Sequence, residues 1–233
     1  MLEAHELTKR FDQHVAVDRL KLRVAPGEIY ALLGPNGAGK TTTINLFLGF
    51  LRPDSGEARV CGTSVAADPV GARRKLAYIP EQVALYPRFS GVENLDYFSA
   101  LGGRSHRRAE LLELLEGAGL PRAAADARVS TYSKGMRQKV GIALALAIGA
   151  KALLLDEPTS GLDPAASHDF SRLLRRLAKE GVAILMATHD LFRAREDASH
   201  VGILLGGKLI AEFTQEQLVG ADLEALYPEK LRA

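Results

Sequence analysis

One eight-residue stretch, Gly34-Pro35-Asn36-Gly37-Ala38-Gly39-Lys40-Thr41, restricts this chain more than any other feature. It follows the apolar run Ile29 to Leu33 and precedes a stripe of Ile44, Phe47, Leu48 and Leu51. The continuous run suits a strand buried on both faces, and the stripe suits one face of a helix. A glycine-rich turn between such elements lets main-chain N–H groups converge, and the helix N-terminus adds partial positive charge. That is the context of a phosphate-binding loop. Lys40 would reach the β- and γ-phosphates of a nucleotide, and the Thr41 hydroxyl would ligate Mg²⁺. Gly34 to Thr41, together with Thr42, form the expected nucleotide-binding run. A dinucleotide turn suits the stretch less well, because its glycines are spaced G-x-x-G-x-G and Lys40 has no role there.

A second apolar run, Ala152 to Leu155, ends in Asp156-Glu157-Pro158. Ligands of open α/β sheets bind at the carboxyl ends of strands, so two carboxylates there complement a phosphate loop. Neighbouring strand residues point opposite ways, which leaves the pair free for separate tasks. Asp156 is expected to hold the Mg²⁺ shell, and Glu157 to orient and deprotonate an attacking water.

A third run, Val182 to Ala187, completes a set of buried strands between helical stripes such as Leu111/Leu114/Leu115/Ala118 and Phe170/Leu173/Leu174/Leu177. Strand–helix alternation predicts an α/β fold with a mostly parallel sheet. The ends read differently. Glu3 to Thr8 and Val15 to Val24 predict an antiparallel pair, and His200 to Leu205 with Lys208 to Phe213 a hairpin on Gly206-Gly207. Residues from about 82 to 130 look helical, with no strand expected. The expected organisation is one domain over 1–233, with a core of about 1–81 and 151–233 and an inserted helical subdomain of about 82–150. The tail 214–233 is too short for another domain.

Composition narrows the function classes. Lys and Arg total 30 against 28 Asp and Glu, a formal charge of +2. Such balance gives no support to a nucleic-acid coat or a polybasic membrane binder. The arginines at 104, 107, 108, 172, 175 and 176 read as solvated helix faces. The single cysteine, Cys61, excludes an internal disulfide and reads as a strand or core residue. Met1 to Arg10 lacks the apolar region of a signal peptide. The stretch Val140 to Leu155 is too interrupted to span a membrane and reads as a buried helix followed by a buried strand.

With these residues in place, the chain resembles the nucleotide-binding subunit of an ATP-binding cassette (ABC) transporter over nearly its whole length. Further elements come in the family's order. Phe11 stands where the family keeps an aromatic that stacks on adenine. Gln82, in Ile79-Pro80-Glu81-Gln82, resembles the Q-loop glutamine, which touches Mg²⁺ and water. Tyr132-Ser133-Lys134-Gly135-Met136 resembles the signature LSGGQ, departing at Tyr132, Lys134 and Met136 but keeping Ser133 and Gly135. Ser133 also suits a helix N-cap. The Lys134 ammonium would add positive charge near phosphates. Ser160-Gly161-Leu162-Asp163 resembles the D-loop, and Asp163-Pro164 is a good helix start by itself. His189 matches the switch histidine, and the other five histidines read as surface residues.

The resemblance implies an ATPase with ATP and Mg²⁺ as ligands. Thr41, Gln82 and Asp156 would organise the metal. Lys40, Gln82, Glu157 and His189 would serve hydrolysis. Phe11, the phosphate loop, Ser133, Gly135 and Asp163 would bind nucleotide. It also implies a head-to-tail pair of copies, a separate transmembrane permease, no nucleic-acid partner, and a place on the cytoplasmic face of the membrane. The run Tyr-Ser-Lys-Gly-Met-Arg-Gln is similar to subunits of the ABC-2 exporter group. Ala84 to Phe89 would lie in the groove that receives the permease, with Tyr86 and Phe89 either touching it or packing under a loop. A soluble ABC ATPase is the alternative. A kinase or GTPase is opposed by Gln82, Ser133, Gly135, Asp163 and His189, and no Asn-Lys-x-Asp tetrad is present.

Overall fold

In the computed structural model, which describes residues 1–220, the first half runs as follows. β1 (Leu2–Phe11), β2 (His14–Val24) and β3 (Ile29–Leu33) lead into α1 (Lys40–Leu48). Then come β4 (Ser55–Val60), β5 (Thr63–Ser64), α2 (Pro69–Arg73) and β6 (Leu76–Ile79). Three longer helices follow, α3 (Gly91–Leu101), α4 (Arg108–Gly117) and α5 (Lys134–Ala147). The chain returns with β7 (Ala152–Asp156), α6 (Pro164–Lys179), β8 (Ala183–Thr188) and α7 (Leu191–Asp197). It ends with β9 (His200–Leu205), β10 (Lys208–Thr214) and α8 (Gln215–Gly220). Most of the expected tail lies outside the described residues.

Two sheets result. The first, ordered β2-β1-β4-β5, is antiparallel; the second, ordered β10-β9-β3-β8-β7-β6, is parallel except for the β9–β10 hairpin. The three predicted apolar runs are β3, β7 and β8, adjacent in the second sheet. Alternation decides what each covers. Ile29, Ala31 and Leu33 of β3 face a core with Phe170, Leu174 and Leu177 of α6. Tyr30 and Leu32 face the opposite core, which holds Ile44 and Phe47 of α1 and Leu7 and Leu20 of the first sheet.

Helices α3, α4 and α5 lie in sequence between β6 and β7, and residues 82–130 hold no strand, only an isolated Ser90–Arg128 bridge, in keeping with the sequence reading. Both α3 and α5 have built N-termini. Ser90 and Glu93 form a reciprocal capping box, and Ser133 caps α5 by accepting from the Met136 N–H at 3.2 Å.

Several expectations need correction. β4, β5 and β6 were not expected from the sequence, yet β4 pairs with β1 and β6 with β7. Leu51 lies beyond α1, because Gly49 closes that helix in a left-handed C-cap. Cys61 sits in the β4–β5 turn with φ 48°, not within a strand, and is a free thiol. Arg175 is no solvated face residue: it pairs at 3.0 Å with the fully buried Asp197 carboxylate, tying α6 to α7. His106 and His200 are half-buried, the first against the Ala147 carbonyl at 3.1 Å and the second stacked on Tyr30.

Candidate functional site

Parallel pairing puts three strand ends side by side. Leu33 of β3 pairs with Thr188 of β8, and Ala187 of β8 with Asp156 of β7. The chain leaves those ends as Gly34, His189 and Glu157. The ladder carries on past the strands, with the Gly34 N–H donating to Thr188 O at 3.2 Å and the Glu157 N–H to Ala187 O at 2.9 Å. A cleft of about 390 Å³ opens above them. It is lined by Phe11, His14, Ala16, Pro35, Asn36, Gly37, Gly39, Lys40, Thr41, Thr42, Glu81, Asp156 and Glu157.

The phosphate loop is rigidly placed. Gly39 precedes α1 with φ 109°, a conformation L side chains rarely adopt, and a Cβ there would lie 2.3 Å from Ala16 O. Lys40 is buried and curls back, donating to Gly34 O at 2.6 Å and to Pro35 O at 3.2 Å. A compact cationic loop over a helix start is suited to an oligophosphate.

The acidic pair works differently from a simple strand end. Glu157 has φ 45°, and this left-handed step brings both carboxylates to one cleft, where an extended strand would have split them. A non-glycine residue in that region is strained, and such strain concentrates at functional sites. Asp156 Oδ2 accepts from the Thr41 hydroxyl at 3.1 Å. Burial pushes the Asp156 carboxyl above its ordinary range, with the Glu157 charge adding to the shift and Thr41 and Lys40 opposing it.

Glu157 Oε2 accepts from the Thr188 hydroxyl at 3.2 Å and from the His189 N–H at 3.4 Å. Its Oε1 is buried, 2.9 Å from His189 Nδ1 and 3.5 Å from Lys40 Nζ, yet neither approach is aligned as a hydrogen bond. The Lys40 approach is therefore electrostatic, and this oxygen retains acceptor capacity toward a water or ligand.

The remaining predicted residues are dispersed. Phe11, exposed on β1 with the Lys9 ammonium 5.5 Å from its ring centre, flanks the cleft. Gln82 is exposed and does not line it; its neighbour Glu81 does. Ser133 caps α5 and Gly135 is buried in its first turn. Asp163 caps α6 through the Ala166 N–H at 2.9 Å. None of these three lines the cleft. Lys134 does not stand free but lies 3.5 Å from Glu81 Oε1. Tyr86 and Phe89 are partly exposed, in an aromatic group with Tyr97 and Phe98. Three cleft residues, His14, Ala16 and Glu81, were missed by sequence reasoning. A larger groove of about 900 Å³, lined by Glu3, Lys21, Arg23 and Glu212 among others, lies apart from these strand ends. The loop and the acidic pair meet only in the smaller cleft among the described grooves.

A phosphate loop opening a helix, next to an acidic pair at the end of a parallel strand, defines a P-loop nucleoside triphosphatase. The profile of the family described as ABC transporter matches residues 17–160. The chain belongs to that family, as an ATP-binding and ATP-hydrolysing subunit. It is 38% identical over 99% of its length to Nod factor export ATP-binding protein I of Cupriavidus metallidurans, spanning 78% of that protein. It is also 38% identical over 93% of its length to the daunorubicin/doxorubicin resistance ATP-binding protein DrrA of Streptomyces peucetius, spanning 66% of it. Among solved structures, the dimeric post-hydrolysis cassette MJ0796 with ADP and Pi matches with TM-score 0.81 and 26% identity, over 92% of this chain and 99% of that one.

Proposed function

We propose that this chain binds Mg-ATP between its phosphate loop and acidic pair and hydrolyses it with Glu157 as general base. Two copies, docked on a separate transmembrane permease at the cytoplasmic face of a membrane, would use that hydrolysis for export. The observation that carries the reading is Glu157 Oε1, buried beside Lys40 Nζ and His189 Nδ1 and without a hydrogen bond of its own. A carboxylate so placed can take a proton from a water aimed at a γ-phosphate, while His189 orients it.

Each residue then has one task. Main-chain N–H groups of Asn36, Gly37 and residues 39–42, with Lys40, balance phosphate charge; Lys40 must first exchange its carbonyl partners for phosphate oxygens. Phe11 offers its exposed ring to a base. Thr41 and Asp156 are hard oxygen donors, and a buried carboxylate is costly without a cation, so this pair suits Mg²⁺. When bound, the metal neutralises charge on the β- and γ-phosphate oxygens. Gln82 joins it only if the loop after β6 turns inward.

Ser133, Gly135 and Asp163 lie outside this cleft, which supports their use toward a second copy's nucleotide. The dimeric cassette supports the same arrangement. Residues 82–150 are read as the inserted helical subdomain of a single 1–233 cassette. Among the described residues no helix is long and apolar enough to cross a membrane, so a transport role requires a partner that does. Export is supported by the Nod factor export role of one relative, and the drug-resistance role of the other involves a different compound, so the cargo is assigned to the permease.

The test is purification in mild detergent from the native membrane, followed by phosphate release with Mg-ATP. A co-purifying multi-span protein and turnover lost in Glu157→Gln support the reading. Recovery without any membrane protein, or full turnover in Glu157→Gln, refutes it.

A further inference from the structure

Glu81 carries no role in any motif above, yet two other segments meet on one of its oxygens. Oε1 lies 3.5 Å from Nζ of Lys134, the first residue of α5, and accepts from the Ser160 hydroxyl at 3.1 Å. The Lys134 side chain also covers Gly161, whose missing Cβ would sit 3.8 Å from Nζ. Ser160 and Gly161 belong to the segment between the acidic pair and α6. The rest of α5 is anchored to that same segment, because the Gln138 amide donates to Pro158 O from a fully buried position. Glu81 also lines the nucleotide cleft, and its charge helps to raise the Asp156 carboxyl.

We infer that Glu81 is a positioning residue that ties Lys134 and Ser160 together within one chain while the cleft holds no phosphate. The tie partly neutralises Lys134, the first residue of α5. Phosphate entering the cleft brings negative charge toward Glu81, which weakens its hold. Lys134 is then freed to face the nucleotide of a second copy. Lysine at this signature position thus makes pairing conditional on a filled cleft, whereas a small residue there would leave the helix start permanently open. The inference rests on the two-copy reading above.

Half-exposed ion pairs are weak and salt-sensitive, so the effect is modest. In a Glu157→Gln background, the readout is the ATP concentration giving half-maximal dimer by light scattering at low salt. Glu81→Gln lowers it about threefold, as expected for loss of a surface pair. Lys134→Met raises it, Lys134→Arg leaves it near the parent value, and Glu81→Gln adds nothing on top of Lys134→Met. An equal shift from Glu81→Gln in both backgrounds would mean that Glu81 acts only through its own charge, and it overturns the inference, as does no shift at all. If the background protein never dimerises with ATP, the two-copy reading fails separately. The tie is then decided by amide exchange in the nucleotide-free protein. Faster exchange at residues 159–162 in both Glu81→Gln and Lys134→Met upholds it, and unchanged exchange overturns it.

Discussion

Glu157 Oε1 lies 2.9 Å from Nδ1 of His189, although one follows β7 and the other β8. The contact exists because those strands are neighbours in register, and because the left-handed backbone at Glu157 turns its carboxylate across the strand ends. This shared geometry underlies the proposed general-base role of Glu157.

Replacing Glu157 by Gln keeps the size of the side chain and its contact with Thr188 but removes the proposed base. Turnover should fall by about 10²- to 10⁴-fold, the usual contribution of general base catalysis. Binding of a fluorescent ATP analogue should persist, because the phosphate loop is untouched. Steady-state phosphate release at the parent rate would remove Glu157 from the base role.

Asp156 gives a pH signature. Its carboxyl is raised in the fold, chiefly by burial, so the folded protein holds that proton more tightly than the unfolded chain. Stability from this group is fully present below the unfolded value of 3.8 and is lost as pH rises through the raised folded value. Asn has no such loss. Without metal or nucleotide, Asp156→Asn should therefore melt higher than the parent at pH 7, with the difference vanishing below about pH 4. Asp197, also raised by burial, is present in both proteins and cancels. Adding Mg²⁺ with ADP should reverse the order, because only the parent gains a cation ligand. Equal melting at pH 7 in scanning fluorimetry would contradict the argument.

The phosphate loop, acidic pair and three central strands were legible because each is local: glycines at fixed spacing, or four to six apolar residues in a row. β6 was not legible. Leu76-Ala77-Tyr78-Ile79 is too short to show a period, and only pairing with β7 makes it a strand. β4 begins with Ser55 and Gly56, residue types common in turns. His14 enters the cleft because the β1–β2 hairpin closes beside the phosphate loop, a long-range outcome with no sequence mark. Glu81 was hidden by Gln82. One position of backbone direction decides which of the two faces the cleft, and residue type alone carries no such information.

Gly39→Ala should abolish ATP binding while costing less in folding. Its Cβ would meet Ala16 O at 2.3 Å in a backbone with φ 109°. Relief requires the loop to move, at about 1–3 kcal/mol for the strained residue, and the N–H groups lose their convergence. Gly37→Ala is the control. Gly37 also has positive φ, 80°, but nothing lies within 4 Å of its Cβ position. The Gly37 variant should retain weakened binding in calorimetry. Equal loss in the two would show that backbone preference alone, without the clash, decides.

Ser133 separates a structural from a functional use of one hydroxyl. It caps α5 by accepting from the Met136 N–H, so Ser133→Ala should cost about 1 kcal/mol of stability. Ser133→Asp restores a cap as good as serine, because a carboxylate also accepts from that N–H and suits a helix start. It also sets negative charge where the two-copy reading brings a second copy's triphosphate. If Ser133 serves that nucleotide, the Asp variant melts like the parent yet fails to dimerise with ATP in the Glu157→Gln background. If Ser133 only caps, its dimerisation matches the parent. Melting and light scattering on the same three proteins decide between the two, since capping moves only the first and phosphate contact only the second.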